Sequence, residues 1–239
     1  MEPFSPFKAD NPIIRFYQVS KRFGDTDALV DITFDVPEKD FLFVSGPSGA
    51  GKSTLIKLLY VGERMTGGYA IVDGMNLTRI KRHQIPGVRR KLGIIFQDYK
   101  LIDTKTAYEN VALVLEVAGV ESRRRIRERV MSVLETVGMA DRSNAYPPTL
   151  SGGEQQRIAV ARAMAGQPRI ILADEPTASL DPEAADQIFD LLLATNASGT
   201  TVMITTHDRD LLSKGDTNIV FLENGRCVDR LKSINGGGS

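Results

Sequence analysis

The chain has 239 residues, 42% of them apolar and 25% charged, with 30 basic residues balanced by 30 acidic ones. That size suits one large α/β domain, or two small lobes sharing a core, and zero net charge argues against nucleic acid as a partner. One cysteine, Cys227, and two histidines exclude an intrachain disulfide and a four-ligand zinc site, so a reducing, cytoplasmic setting is expected.

Residues 1–12 carry three prolines and little periodicity, which predicts an extended arm with neither the basic nor the apolar region of a signal peptide. A strand is expected over Ile13 to Ser20. Val30, Ile32, Phe34 and Val36 then alternate with Asp31, Thr33 and Asp35, the pattern of a strand with one wet face, closed by Pro37. This implies a partly exposed antiparallel sheet. Four continuous apolar runs have a different character: Phe41 to Val44, Ile94 to Phe96, Ile170 to Ala173 and Thr201 to Thr205. They suit strands buried on both faces of a parallel sheet, which needs crossover helices between them.

Between Gln97 and Gly166 helical spacing replaces the strand signal. Ile126, Val130, Val133, Leu134 and Val137 fall on one helix face, so an inserted helical lobe is expected over about 98–166. The basic run from Arg123 to Arg129 reads as the solvated face of that helix, with Ile126 turned inward. The longest apolar stretch, Val111 to Val120, is broken by Glu116 and falls short of the ~20 residues of a membrane span. A helix with Pro182 at its start is expected to Ala194. Asn224-Gly225 predicts a hairpin after Ile219 to Leu222, and 233–239 has linker composition.

The chemistry centres on Gly46-Pro47-Ser48-Gly49-Ala50-Gly51-Lys52-Ser53-Thr54, which fits G-x-x-x-x-G-K-[ST] between an apolar strand and the helical run Leu55 to Leu59. Glycines let successive N–H groups turn inward on phosphate oxygens, beside a helix N-terminus that favours negative charge. Lys52 adds a charge for the β and γ phosphates, and the Ser53 hydroxyl is placed for Mg²⁺. A turn that merely joined strand to helix would not need the Lys-Ser ending. Asp174 and Glu175 end another apolar strand, so Asp174 is expected to hold Mg²⁺ opposite Ser53 and Glu175 to take a proton from an attacking water. His207 ends a third strand, in position to donate to the γ-phosphate. Leu150-Ser151-Gly152-Gly153-Glu154 reads as a helix cap with two bare glycine N–H groups, a second anion site. His83, in a basic loop, is read as solvated.

Taken in order, GPSGAGKS, Gln97, LSGGEQQR, ILADEPT, Ser179-Leu180-Asp181 and His207 resemble the ATP-binding-cassette ATPases from Ile13 to about Leu231. The resemblance implies an α/β P-loop NTPase: a RecA-like parallel sheet core with an N-terminal antiparallel β subdomain and an inserted α-helical subdomain, together spanning 13–232. It implies ATP and Mg²⁺ as cofactors, Phe23 stacked on adenine, and Gln97 serving Mg²⁺ and the attacking water. It also implies a homodimer around two ATP, in which Ser151, Gly152, Gly153 and Glu154 of one copy cover the nucleotide held by Gly46 to Thr54 of the other, with Asp181 at the same interface.

Within the family the chain is similar to the branch that serves bacterial cell division, through Arg15-Phe16, Arg89 to Asp98, Tyr108 to Val111 and Leu150 to Arg157. That likeness implies an integral membrane partner, docked around Tyr99 to Ala107, and a peripheral place on the cytoplasmic face of the inner membrane. Lipoprotein-releasing and macrolide-efflux cassettes share much of the same pattern. The proline-rich arm, Tyr60-Val61 and Ala178-Ser179 depart from the cell-division pattern, but none is a catalytic position. A soluble cassette acting on ribosomes or DNA fits the neutral charge poorly, and a GTPase is disfavoured because no Asn-Lys-x-Asp motif occurs.

Overall fold

The computed structural model describes residues 11–214 and 217–232. Most of the arm expected over 1–12 and the whole tail from 233 lie outside the described residues. Pro12, counted with the arm, instead begins the first strand.

The first sheet is antiparallel and joins β1 (Pro12–Phe23), β2 (Thr26–Pro37), β4 (Gly67–Val72) and β5 (Met75–Asn76) in the order β2-β1-β4-β5. Its β2 corrects one expectation. Asp31 is exposed, but Asp35 is 3% exposed. Arg15 stands opposite it on β1 and reaches it with two 2.9 Å hydrogen bonds, from Nε to Oδ1 and from a terminal nitrogen to Oδ2. A two-pronged charged partner satisfies a carboxylate that the neighbouring strand has removed from water, so alternation misreads this position as wet.

The second sheet has the order β10-β9-β3-β8-β7-β6, built from β3 (Phe41–Ser45), β6 (Leu92–Ile95), β7 (Ile170–Asp174), β8 (Thr201–Thr206), β9 (Asn218–Glu223) and β10 (Arg226–Lys232). Five of these strands run parallel, and β10 returns antiparallel through Asn224 and Gly225, whose φ of 49° and 73° suit a type I′ turn. The apolar runs have their cause here. Phe41, Phe43, Ile171, Ala173, Val202 and Ile204 belong to one core, while Leu42, Val44, Ile170, Leu172, Met203 and Val220 belong to the other. Alternate residues of each strand therefore enter opposite cores, and both faces are dry. The second core also takes in the antiparallel sheet and α1 (Lys52–Leu59). Phe96, expected inside a strand, lies just beyond β6 with its ring edge-on to Tyr60.

From α2 (Ile85–Arg89) the chain passes through β6, and up to β7 it forms only helices, the long ones being α3 (Ala107–Val117), α4 (Arg123–Thr136) and α5 (Gly152–Ala165). All five residues of the expected stripe are buried, from Ile126 at 8% to Val130 at 0% exposure. Next, α6 (Pro182–Ala197) outlasts its expected end by three residues, and the short α7 (Arg209–Leu212) follows β8. Among the described residues no helix is long and apolar enough to cross a membrane.

Asn110, 1% exposed on α3, organises the segment between β6 and that helix. Its Oδ1 accepts from the Ile102 N–H at 2.8 Å, and its Nδ2 donates to the carbonyls of Ile102, Lys105 and Thr106 at 3.0–3.1 Å. Losing such a group strands several backbone partners. We expect Asn110→Ala to lower unfolding stability by about 1–3 kcal/mol in denaturant titration, and an unchanged midpoint would show that the segment is held by other contacts.

Candidate functional site

The phosphate loop starts at the end of β3 and closes on the first turn of α1. Two glycines are fixed there by close approach. A Cβ on Gly46, at φ +147°, would lie 2.0 Å from the Leu222 carbonyl oxygen, and one on Gly51, at φ +102°, would lie 2.6 Å from that of Ala28. The loop is thus pressed against both sheets. Residues Ser48 to Thr54, with Ala28, Gln97, Glu175 and His207, line a cleft of about 370 Å³, within the range of small-molecule sites. A larger groove of about 460 Å³ lies between β6 and α3, lined mainly by apolar side chains and by arginines, without a carboxylate or hydroxyl to hold a metal.

Parallel strands bring the chemistry to one edge. Ser53 Oγ donates to Asp174 Oδ1 at 3.0 Å. Thr205 Oγ1, from the adjacent strand, donates to the same oxygen at 2.6 Å. Lys52 is 7% exposed; its Nζ donates to the carbonyls of Gly46 and Pro47 at 2.8 and 3.2 Å and stands 3.5 Å from Glu175 Oε1. His207 Nδ1 lies 3.0 Å from both carboxylate oxygens of Glu175. Glu175 is therefore held between an ammonium and an imidazole. Its backbone has φ +48°, a left-handed state costing a non-glycine residue about 1–2 kcal/mol, and its N–H donates to the carbonyl and to the hydroxyl of Thr205, each at 3.1 Å.

These residues fit a magnesium nucleotide. Ser53 and Asp174 offer hard oxygens within one hydrogen bond of each other, and Gln97 lines the nucleotide cleft together with Ser53. Among the described residues no cluster of three or more His, Cys, Asp or Glu could cage a metal. Few protein ligands, complemented by phosphate oxygens, is the arrangement Mg²⁺ prefers.

The remaining site residues stand apart from the cleft. Ser151 caps α5 in a reciprocal box: its N–H donates to Glu154 Oε2 at 2.8 Å, and its Oγ accepts from the Glu154 N–H at 3.2 Å. The backbone hydrogen bond at Ser151 holds the Glu154 carboxyl below its ordinary value against the opposing effect of burial, with smaller help from the Ser151 hydroxyl and Arg142. Gly152 and Gly153 form the first turn behind that cap. Asp181 caps α6, its Oδ1 accepting from the Ala184 N–H at 2.9 Å. Phe23, at the end of β1, is 44% exposed, with Lys21 Nζ 4.3 Å from its ring centroid; it is not a packed core residue, and it does not line the cleft.

Sequence reasoning passed over Thr205 and Arg162. Thr205 carries no motif; only its place two residues before His207 hints at the site. Arg162 of α5 donates to the carbonyls of Tyr99 and Lys100 at 2.6 and 2.5 Å, both residues being left-handed, at φ +58° and +50°. Burial lowers its pKa to about 10. It ties the segment after Gln97 to the helix that Ser151 caps.

The family described as ABC transporter matches residues 29–178. The cell division ATP-binding protein FtsE of Streptococcus pneumoniae is 44% identical over 217 residues, covering 90% of this chain and 94% of that one. A methionine import ATP-binding protein, MetN 1 of Listeria monocytogenes, is 40% identical over 223 residues, 91% of this chain and 66% of its own. The dimeric structure of the ATP-binding cassette MJ0796 in a post-hydrolysis state, bound to ADP and Pi, superposes with a TM-score of 0.86 at 33% identity, covering 92% of this chain and 99% of that one.

The position of Lys52 leads to a direct test. Lys52→Ala removes a charge-assisted contact worth about 1.5–3 kcal/mol, so we expect ATP affinity to fall on the order of ten- to a hundredfold in fluorescence titration. Unchanged affinity would contradict the phosphate-loop assignment.

Proposed function

The chain belongs to the ABC transporter family of ATPases, and from that premise we propose that it is an FtsE-like subunit that dimerises around ATP and drives an FtsX-like integral membrane partner to regulate cell-wall hydrolysis in cell division. In this reading it sits on the cytoplasmic face of the inner membrane, held there by its partner. The observation that carries the dimer is the separation of the site residues: the Ser151 cap lies outside the cleft lined by Ser48 to Thr54 of its own chain. A helix N-terminus with bare glycine N–H groups is suited to phosphate, and a second copy brings it there. An isologous pair closes at two subunits and makes two such sites.

Within each site Lys52 balances the β and γ phosphates while the loop N–H groups orient them. Ser53, Asp174 and Gln97 would hold Mg²⁺, which when bound would supply positive charge against the phosphates. Glu175 takes the proton of the water whose oxygen attacks the γ-phosphorus, and ADP and phosphate leave. His207, whose Nδ1–H donates to Glu175, keeps that carboxylate oriented at the cleft edge. The names of the FtsE relatives support the cell-division role. An exporter cassette of the LolD or MacB type is the second reading; the methionine-import relative of nearly equal identity supports transport in general as the alternative to cell division, without a direction.

The membrane partner's short cytoplasmic helix is assigned to the segment Tyr99 to Ala107 and the apolar groove beside it, where Val114 and the 64%-exposed Val117 stand. Two measurements test these assignments. Mixing a Lys52→Ala chain with a Gly153→Asp chain should restore turnover that neither shows alone, because heterodimers contain one intact composite site; absence of recovery would mean that each site lies within one chain. Val117→Asp should lose co-purification with the FtsX-like protein in detergent while retaining ATP binding, and full retention would move the docking site elsewhere.

A further inference from the structure

Thr205 forms a junction that the roles above leave unused. It is fully buried on β8, directly paired with Asp174 on parallel β7. Its single hydroxyl hydrogen goes to Asp174 Oδ1 at 2.6 Å, because a carboxylate can only accept, and a lone pair receives the Glu175 N–H at 3.1 Å. One hydroxyl thus touches both acidic residues of the site. Ser53 gives Oδ1 its second donor, so the described residues leave Oδ2 without a protein donor.

We infer that Thr205 is a positioning residue that sets the Asp174 carboxylate for the divalent cation, occupying Oδ1 so that Oδ2 stays clear of protein donors, and steadying the left-handed Glu175 beside it. This rests on the reading of Ser53 and Asp174 as the pair that holds Mg²⁺. The two hydroxyls on Oδ1 have different duties. Ser53 lies on the loop and is itself assigned to the metal, whereas Thr205 stands inside the sheet, where the other acceptor near its hydroxyl is the Ala173 carbonyl at a longer 3.5 Å. A β-branched residue on a strand has few χ1 choices, so its hydroxyl is aimed before any nucleotide arrives. Bulk water cannot substitute for it at a fully buried position.

The test is a Mg²⁺ titration of binding by a fluorescent, non-hydrolysable ATP analogue, repeated in EDTA. Thr205→Val removes the hydroxyl at nearly constant shape and keeps the bond from the Glu175 N–H to the Thr205 carbonyl, 3.1 Å in the parent. We expect it to raise the half-saturating Mg²⁺ concentration on the order of tenfold and to leave affinity in EDTA within about twofold. Thr205→Ser should restore the parent response, and Thr205→Ala, which cannot overpack the site, should repeat the loss. A parent-like Mg²⁺ response in the Val and Ala variants, or equal losses with and without Mg²⁺, would overturn the assignment of Thr205. Asp174→Asn separates this from the reading beneath it: if that variant keeps the parent Mg²⁺ response, Asp174 does not hold the cation at all.

Discussion

The hydrogen bond from Ser53 to Asp174 joins residues 121 positions apart, and the site depends on the constraint behind it. Ser53 stands in the first turn of the helix after β3, and Asp174 ends β7. Between those strands in the sheet lies β8, whose Thr205 reaches the same carboxylate oxygen. A parallel sheet presents all its C-terminal ends on one edge, so the phosphate loop, the adjacent Asp174 and Glu175, and His207 meet there although three distant segments supply them. The dryness of both sheet faces keeps that edge rigid. With alternate residues locked into separate cores, a one-residue slip of β7 would send Asp174 to the wrong side.

Charge within the cleft is arranged around burial. Lys52 is nearly inaccessible, yet it donates to two loop carbonyls and lies beside Glu175. Buried charges persist only where paired or hydrogen-bonded, and this arrangement keeps a positive group next to the phosphate cradle. Arg162 shows the same economy. Two carbonyls of left-handed residues satisfy it, and they link the segment following Gln97 to the helix capped by Ser151. The segment after Gln97 and the cap helix are thereby joined through one half-buried cation.

Membership of the ABC transporter family accounts for the shared core, whereas subfamily depends on surfaces beyond it. An FtsE at 44% identity and a methionine importer at 40% share nearly the same stretch of this chain. Catalytic geometry is common to such proteins because ATP is common to them. Beyond that core the chain carries the groove between β6 and α3, with its apolar walls and arginines, the surface proposed above for the membrane partner.

By itself the sequence determined the phosphate loop, the buried strands, the helical stripe at Ile126 to Val137 and the Ser151 cap. All of these are local patterns, set by backbone conformation, by side-chain period or by a residue three positions away. It misplaced Asp35, whose partner Arg15 sits on another strand, and it passed over Thr205, which locally is one more buried strand residue. Asp174, Glu175 and His207 are expected at the phosphate loop, but only the tertiary structure decided that the Thr205 hydroxyl joins Asp174 to Glu175 and that Glu175 stands between Lys52 and His207. Strand order and register decide such convergence, and they are settled by contacts between segments too far apart in sequence to leave a local signal.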